Sequence, residues 1–351
     1  MKNKNMNLYE AEDFIEQVET KAKYGLFKNK HKHIICYSGG HSSALVAIEV
    51  TRVFGKENVI LLNHNINPRF EDKDIKRFKK EIANYLGIEI TYANYKGITD
   101  ENLIPSQFDV CLTAGSFVNP HNRQILCTAL LKTEPFYNYL KTIEKDNICV
   151  YYGFDEVELE RVERRRSILI SDGIETDYPL ALWSFDLVKN FNDFKIENLL
   201  KNFNKVNETK LKTIPSDYLQ EAIKLNLIEI TEWNGSERTI FSTKEIGIEP
   251  PNTYNIYKHA NCKGCLKAGK QHWYVVYCTD YEIYQMGKDA ENKMGHSFGK
   301  EFLKDLEPVF KKMKEIGIPA NEHIPSGKFW KSAKKYLTCD ILDMFPCECF
   351  S

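Results

Sequence analysis

Short, solid apolar runs alternate with stretches of helical apolar spacing along the first half of the chain. "HIICYS" (33–38) predicts a short buried strand, and residues 43–54 predict a helix with Ala44, Leu45, Ile48 and Val53 on one face and Gly55 as its stop. "VILLNH" (59–64) predicts a second buried strand. Beyond the turn "NINPRF", residues 71–86 set Ile75, Phe78, Ile82, Tyr85 and Leu86 at helical intervals, ended by Gly87. "IEITYANY" (88–95) alternates as a third strand, and "NICVYYGF" (147–154) supplies a fourth. Ahead of them, Tyr9, Phe14, Val18 and Ala22 outline an amphipathic helix over 8–24. This rhythm predicts an α/β fold with a doubly wound, mostly parallel sheet covered on both faces. Ligands of such sheets bind beyond the carboxyl ends of the strands.

The alternation fades after about residue 195. The chain accordingly divides into a nucleotide-binding domain (1–195), a linker or insert (196–255) and a smaller, mostly helical, Cys-bearing unit (256–351). Within the middle segment, residues 228–243 outline a small hairpin around "NGSE". A hydrophobic content of 42%, a charged content of 28% and a net charge of −1 describe a soluble globular protein with no global field towards nucleic acid or membrane. No apolar run approaches the roughly 20 residues of a membrane helix, and the first residues lack the apolar core of a signal peptide. The expected location is the cytoplasm, where the ten cysteines stay thiols. Cys36 and Cys149 sit in strand-like runs and are expected to pack the core.

The chemistry starts at the end of the first strand, with Ser38, Gly39, Gly40, His41, Ser42 and Ser43. Adjacent glycines allow positive φ and close approach, and the serines add hydroxyls. The following helix turns its free N–H groups into the same space, a nest for phosphate oxygens. It is not a Walker loop, because no GxxxxGK[ST] occurs.

This loop resembles the PP-loop, SGGxDS, of the adenine-nucleotide alpha-hydrolase-like superfamily. Further stretches resemble its phosphoadenosine-phosphosulfate (PAPS) reductase-like branch in the right order: "CTALLKTEPF" (127–136), "YGFDEVELERVERR" (152–165), "YPLALWSFDLVKNF" (178–191) and "CKGCLKAGKQHWYVV" (262–276). The resemblance covers about 30–195 and 255–300. It implies ATP or a related adenine nucleotide on the loop, with Mg²⁺ in the ATP-cleaving members, and Lys132 as a positive charge at the transferred group. Of Arg161, Arg164, Arg165 and Arg166, the first and third are the candidates for phosphate grip, since a guanidinium fork suits bidentate contact. A solvated helical face paired with Glu158, Glu160 and Glu163 is the alternative. One departure stands out: the family's Asp is Ser42 here, and serine cannot neutralise Mg²⁺. Either Asp155 or Glu156 substitutes, or the nucleotide is handled without pyrophosphate release.

Cys262 and Cys265 form a CxxC, which suits Zn²⁺, an iron–sulfur cluster or a redox dithiol. Cys127 is the expected third metal ligand, and Cys278, His272, Cys347 or Cys349 could complete the set. The tail "PCECFS" shares only Glu348-Cys349 with the reductases' nucleophilic Glu-Cys-Gly-[Leu/Ile]-His. Three functions follow. The first is adenylation of an acceptor for sulfur transfer, with Lys132, Arg161 and Arg165 catalytic. The second is sulfonucleotide reduction, with Cys349 as nucleophile. The third is a non-catalytic nucleotide sensor. The acceptor is left open between tRNA, DNA and a small molecule, and the resemblance suggests a homodimer.

Overall fold

Five parallel strands form one sheet in the order β3-β2-β1-β4-β5: β1 (Lys32–Cys36), β2 (Val59–Asn63), β3 (Ile90–Tyr92), β4 (Ile148–Tyr151) and β5 (Glu175–Asp177). The structure, a computed structural model, describes residues 32–121, 123–144, 147–185, 237–260 and 262–336. The helix expected over 8–24, most of the 196–255 segment, and Cys347 and Cys349 lie outside the described residues.

Successive strand residues point to opposite faces, and the core divides accordingly. Ile35, Leu61, Cys149 and Tyr151 pack under helices α1 (His41–Phe54) and α2 (Lys73–Leu86). After α3 (Gln107–Ala114) come α4 (Glu134–Leu140) and α5 (Leu159–Ser171), whose Phe136, Leu140 and Leu169 cover Ile34, Leu62, Ile148 and Val150 on the other face. Both faces are covered, as the alternating pattern predicts.

Boundaries shift for local reasons. The second helix starts at Lys73 rather than 71, because the Asp72 side chain accepts from the Asp74 N–H as an N-cap. Only Ile90–Tyr92 of the 88–95 stretch pairs as a strand; Asn94–Gly97 turns away. β5 was not foreseen, since its sequence, Glu-Thr-Asp, carries no apolar signal. The described end of the expected 228–243 hairpin, β7 (Glu237–Arg238), pairs in parallel with the distant β6 (Ser184–Phe185). Fully buried Glu49 of α1 then accepts from the Ile240 N–H at 3.0 Å and from Arg52 Nε at 2.9 Å, pinning this segment to the sheet domain.

Four further helices, α6 (Lys270–Thr279), α7 (Tyr281–Met294), α8 (Leu303–Glu315) and α9 (Ser326–Tyr336), enclose a separate aromatic core with Trp273, Tyr274 and Phe310. Phe70 and Phe108 join that core from the sheet side, so the helical unit packs onto the loops at the sheet's carboxyl edge. Among the described residues, no helix is long and apolar enough to cross a membrane.

Candidate active site

The chain builds β1, β2 and β3 outward on one side and then returns to place β4 on the other side of β1. The topological switch point therefore lies between β1 and β4 at the carboxyl edge, the place where ligands of such sheets bind. The Ser38–Ser43 loop leaves β1 there. Gly39 has φ +83°, and a Cβ on it would stand 2.4 Å from Lys79 Cγ, so both conformation and space require glycine. Ser43 Oγ donates to Gly40 O at 2.8 Å, Ser38 Oγ donates to Ser43 Oγ at 3.2 Å, and Ser38 and Ser42 are exposed. From the β4 side of the switch point comes Gly153, where a Cβ would meet Ser42 C and Ser43 N at 3.0 Å. The loops after β1 and β4 thus touch backbone to backbone.

His41 takes a part different from the one expected of it. Its ring leaves the loop, and Nε2 accepts from the Thr243 N–H at 3.2 Å. Burial, with Arg238 nearby, lowers its pKa and keeps it neutral. Its backbone N–H stays in the loop and donates to Tyr254 Oη at 3.0 Å.

Lys132 lies on the single π turn Ala129–Thr133, between the short helix Leu126–Thr128 and α4. Such turns gather at functional sites. Its side chain lines a cleft with His64, Asn65, Ile66, Ser106, Gln107 and Cys262 while staying accessible to solvent. Cys262, Cys265, Cys127 and Glu71 all raise its pKa against the effect of burial, which holds it cationic. Burial pushes the Cys262 thiol up to about 11 and also raises Cys265, with Lys132 opposing both shifts. The structure thus brings Lys132 together with Cys127, Cys262 and Cys265. It also adds Lys267, whose pKa burial lowers.

Two contacts tie this cluster to the glycine loop. Ala260, two residues before Cys262, stands 3.4 Å from where a Gly40 Cβ would be. Lys79, whose stem underlies Gly39, pairs with Glu71 at 2.8 Å, both side chains 3% exposed. Glu71 Oε2 is buried with no hydrogen-bond partner. The CxxC turn itself is held by Lys263 N donating to Phe70 O at 2.8 Å and by Gln107 Nε2 donating to Lys263 O at 2.8 Å.

The metal expectation is not met by the described residues, among which no group of three His, Cys, Asp or Glu side chains could hold an ion. The reason lies in prior engagements. Cys127 lies against Cys111. His272 accepts from the Cys265 N–H through Nε2 at 3.4 Å and pairs with Glu322 through Nδ1. Cys278 is turned to Tyr274. Among the described residues no third side chain joins Cys262 and Cys265 as a metal ligand, and Cys347 and Cys349 lie outside them. Of the acids expected to replace the loop carboxylate, Asp155 caps the turn after β4, accepting from the Val157 N–H at 3.1 Å.

The arginines divide. Arg161 lies over the Phe154 ring at 4.2 Å and pairs with Glu158, and Arg165 lies over Tyr152 at 5.5 Å. Tyr152, Phe154 and Tyr178 stack beneath them as an aromatic shelf beside β4. Arg161 lowers the pKa of Lys267, which places it within electrostatic reach of the thiol cluster. Arg164 is exposed.

His64, Glu71, Lys79, Tyr254 and Lys267 were missed. His64 had a signal, as the last residue of "VILLNH" at a carboxyl strand end. Burial, with Lys132 beside it, lowers its pKa and leaves a neutral imidazole facing a cation.

The fold defines an open parallel α/β protein with a topological switch point between β1 and β4. No protein-family model and no curated protein matches the chain. Among solved structures, an NH3-dependent NAD synthetase from Campylobacter jejuni subsp. jejuni NCTC 11168, in complex with the nitrate ion, aligns over 66% of this chain and 97% of its own. The identity is 17% and the TM-score 0.29. A likeness at that level adds nothing to what the sheet order itself states.

Proposed function

We propose that the chain is a PP-loop-type enzyme that binds ATP or a related adenine nucleotide at the β1–β4 switch point. It adenylates an acceptor, and the adjoining thiols pass sulfur to the activated position. The observation carrying this reading is the meeting of two unlike sites on one sheet edge: a glycine loop at the switch point, and a cationic lysine among three thiols. The acceptor oxygen would attack the α-phosphorus and expel pyrophosphate. Lys132 and Arg161 would offset the charge that develops there, in a cleft where water is partly excluded. The outer sulfur of a cysteine persulfide, charged by an external sulfane-sulfur donor, would attack the activated carbon and expel AMP. A second cysteine thiolate would then break the resulting S–S bond, releasing the thiolated acceptor and leaving an enzyme disulfide that an external thiol reduces. Lys132 favours the thiolate that such a step needs.

ATP binding by calorimetry and pyrophosphate release, measured for wild type, Ser38→Ala and Lys132→Ala, test the reading. Expected are ATP binding by the wild type, weaker binding by Ser38→Ala, and a loss of about 100-fold in release for Lys132→Ala with binding largely kept. Wild-type protein that does not bind ATP would overturn it. The absence of a loop carboxylate favours a second reading, a nucleotide sensor, which binding without any pyrophosphate release would support.

A further inference from the structure

Tyr254 reaches the glycine loop from the segment that leads into the CxxC, on the single turn Asn252–Asn255. Gly40 has no side chain, and two hydroxyls line the space one would fill: Tyr254 Oη stands 3.0 Å from that Cβ position and Ser38 Oγ 3.6 Å. Ser38 donates its hydrogen to Ser43 Oγ at 3.2 Å. Tyr254 Oη accepts from the His41 N–H at 3.0 Å, so one of the unpaired donors that open α1 is spent on the protein's own hydroxyl. A hydroxyl donates as well as accepts, and the hydrogen of this one has no acceptor among the described residues. Burial raises its pKa and keeps that hydrogen in place. The turn is held from both sides. Asn252 N donates to Asp74 Oδ2 of α2 at 2.6 Å. From the segment ahead of α9, His323 Nε2 donates to Tyr254 O at 2.5 Å, Asn321 Nδ2 to Asn255 O at 3.3 Å and Glu322 N to Ile256 O at 2.8 Å. The hydroxyl is thus fixed over the loop before any ligand arrives.

We propose that Tyr254 is a phosphate-binding residue of the nucleotide site, one that the loop's own motif does not contain. Its Oη takes the hydrogen of the His41 N–H and passes a donor on, giving its own O–H to a phosphate oxygen seated over Gly40. Of the two hydroxyls there, Ser38 has its hydrogen engaged with Ser43, so Tyr254 is the one left to donate. A hydrogen bond to a charged oxygen is stronger than one to a neutral acceptor. His323 is the positioning residue: it touches no ligand and acts through the Tyr254 carbonyl. This role rests on the nucleotide binding proposed above.

The test is calorimetry on the full chain with ATP, inorganic triphosphate and adenosine. Tyr254→Phe keeps the ring and removes only the oxygen. It is expected to weaken ATP and triphosphate by the same factor, roughly tenfold to a hundredfold, and to leave adenosine unchanged. His323→Ala should weaken both phosphate ligands while Tyr254 is present and add nothing in the double variant, a pattern that a general loss of structure does not give. Unchanged triphosphate binding by Tyr254→Phe would overturn the proposal. So would tighter binding, which would make the hydroxyl a competitor for the loop, and so would an equal loss for adenosine, which would assign the effect to the fold. Wild type that binds triphosphate but not ATP would overturn the proposed function, and a triphosphate loss in Tyr254→Phe would still support this role. Wild type that binds neither would overturn both.

Discussion

Lys79 shows how much one side chain can carry. It falls on the apolar stripe of α2 with Ile75, Phe78 and Ile82, a position where a lysine must find a buried partner. It finds Glu71, while its methylenes fill the space left by Gly39. Replacing it by methionine keeps the packing and strands a carboxylate that already has one unpartnered oxygen. Lys79→Met is expected to cost about 3–5 kcal/mol in urea unfolding, and Glu71→Leu in the same chain should recover much of it. An unchanged midpoint for the single variant would show that the pair is not a buried ion pair. The lysine on the stripe was a readable signal. Its partner was not, because nothing local distinguishes Glu71 from the solvated acids around it.

Elements were legible in proportion to their burial. β1, β2 and β4 are covered on both faces and read as solid apolar runs. The edge strands were clipped, as with β3, or missed, as with β5. The glycine loop and the CxxC were visible because their geometry is local. Lys132 and Cys127 emerged only through a resemblance, and Tyr254 emerged not at all, since it meets His41 from more than 200 positions away. The contact between the loop after β4 and the start of α1 is likewise long-range, and it can be tested directly. In Gly153→Ala the new methyl lands on backbone that cannot rotate aside. About 1–3 kcal/mol of strain should appear as roughly tenfold weaker nucleotide binding, with the cysteine reactivities unchanged. Calorimetry giving wild-type affinity would mean that the switch point tolerates being opened.

For the whole molecule, stability should depend on one acid far from the switch point. Glu291 of α7 is 1% exposed and accepts from Leu303 N at 2.6 Å and Phe298 N at 3.3 Å, joining α7 to the start of α8. Burial pushes its carboxyl up to about 7, from an ordinary 4.5. The fold therefore prefers the neutral acid. That contribution is complete below about 4.5 and is lost as pH rises through about 7. Urea midpoints taken from pH 5 to 8 should fall by the equivalent of roughly 3 kcal/mol from this group. Glu291→Gln should flatten the slope, and a slope unchanged by that substitution would assign it elsewhere.

The sheet order also has a consequence in time. β1 is the central strand, in register with β4 through His33 with Cys149, Ile34 with Val150 and Ile35 with Tyr151. Its neighbour on that side is the last but one strand of this sheet to be made. A ribosome moving at about 5–20 residues per second takes on the order of ten seconds to travel from β1 to β4. Throughout that interval the nascent chain presents one flank of its central strand with nothing beside it. Any fragment that stops short of β4 keeps that flank permanently open.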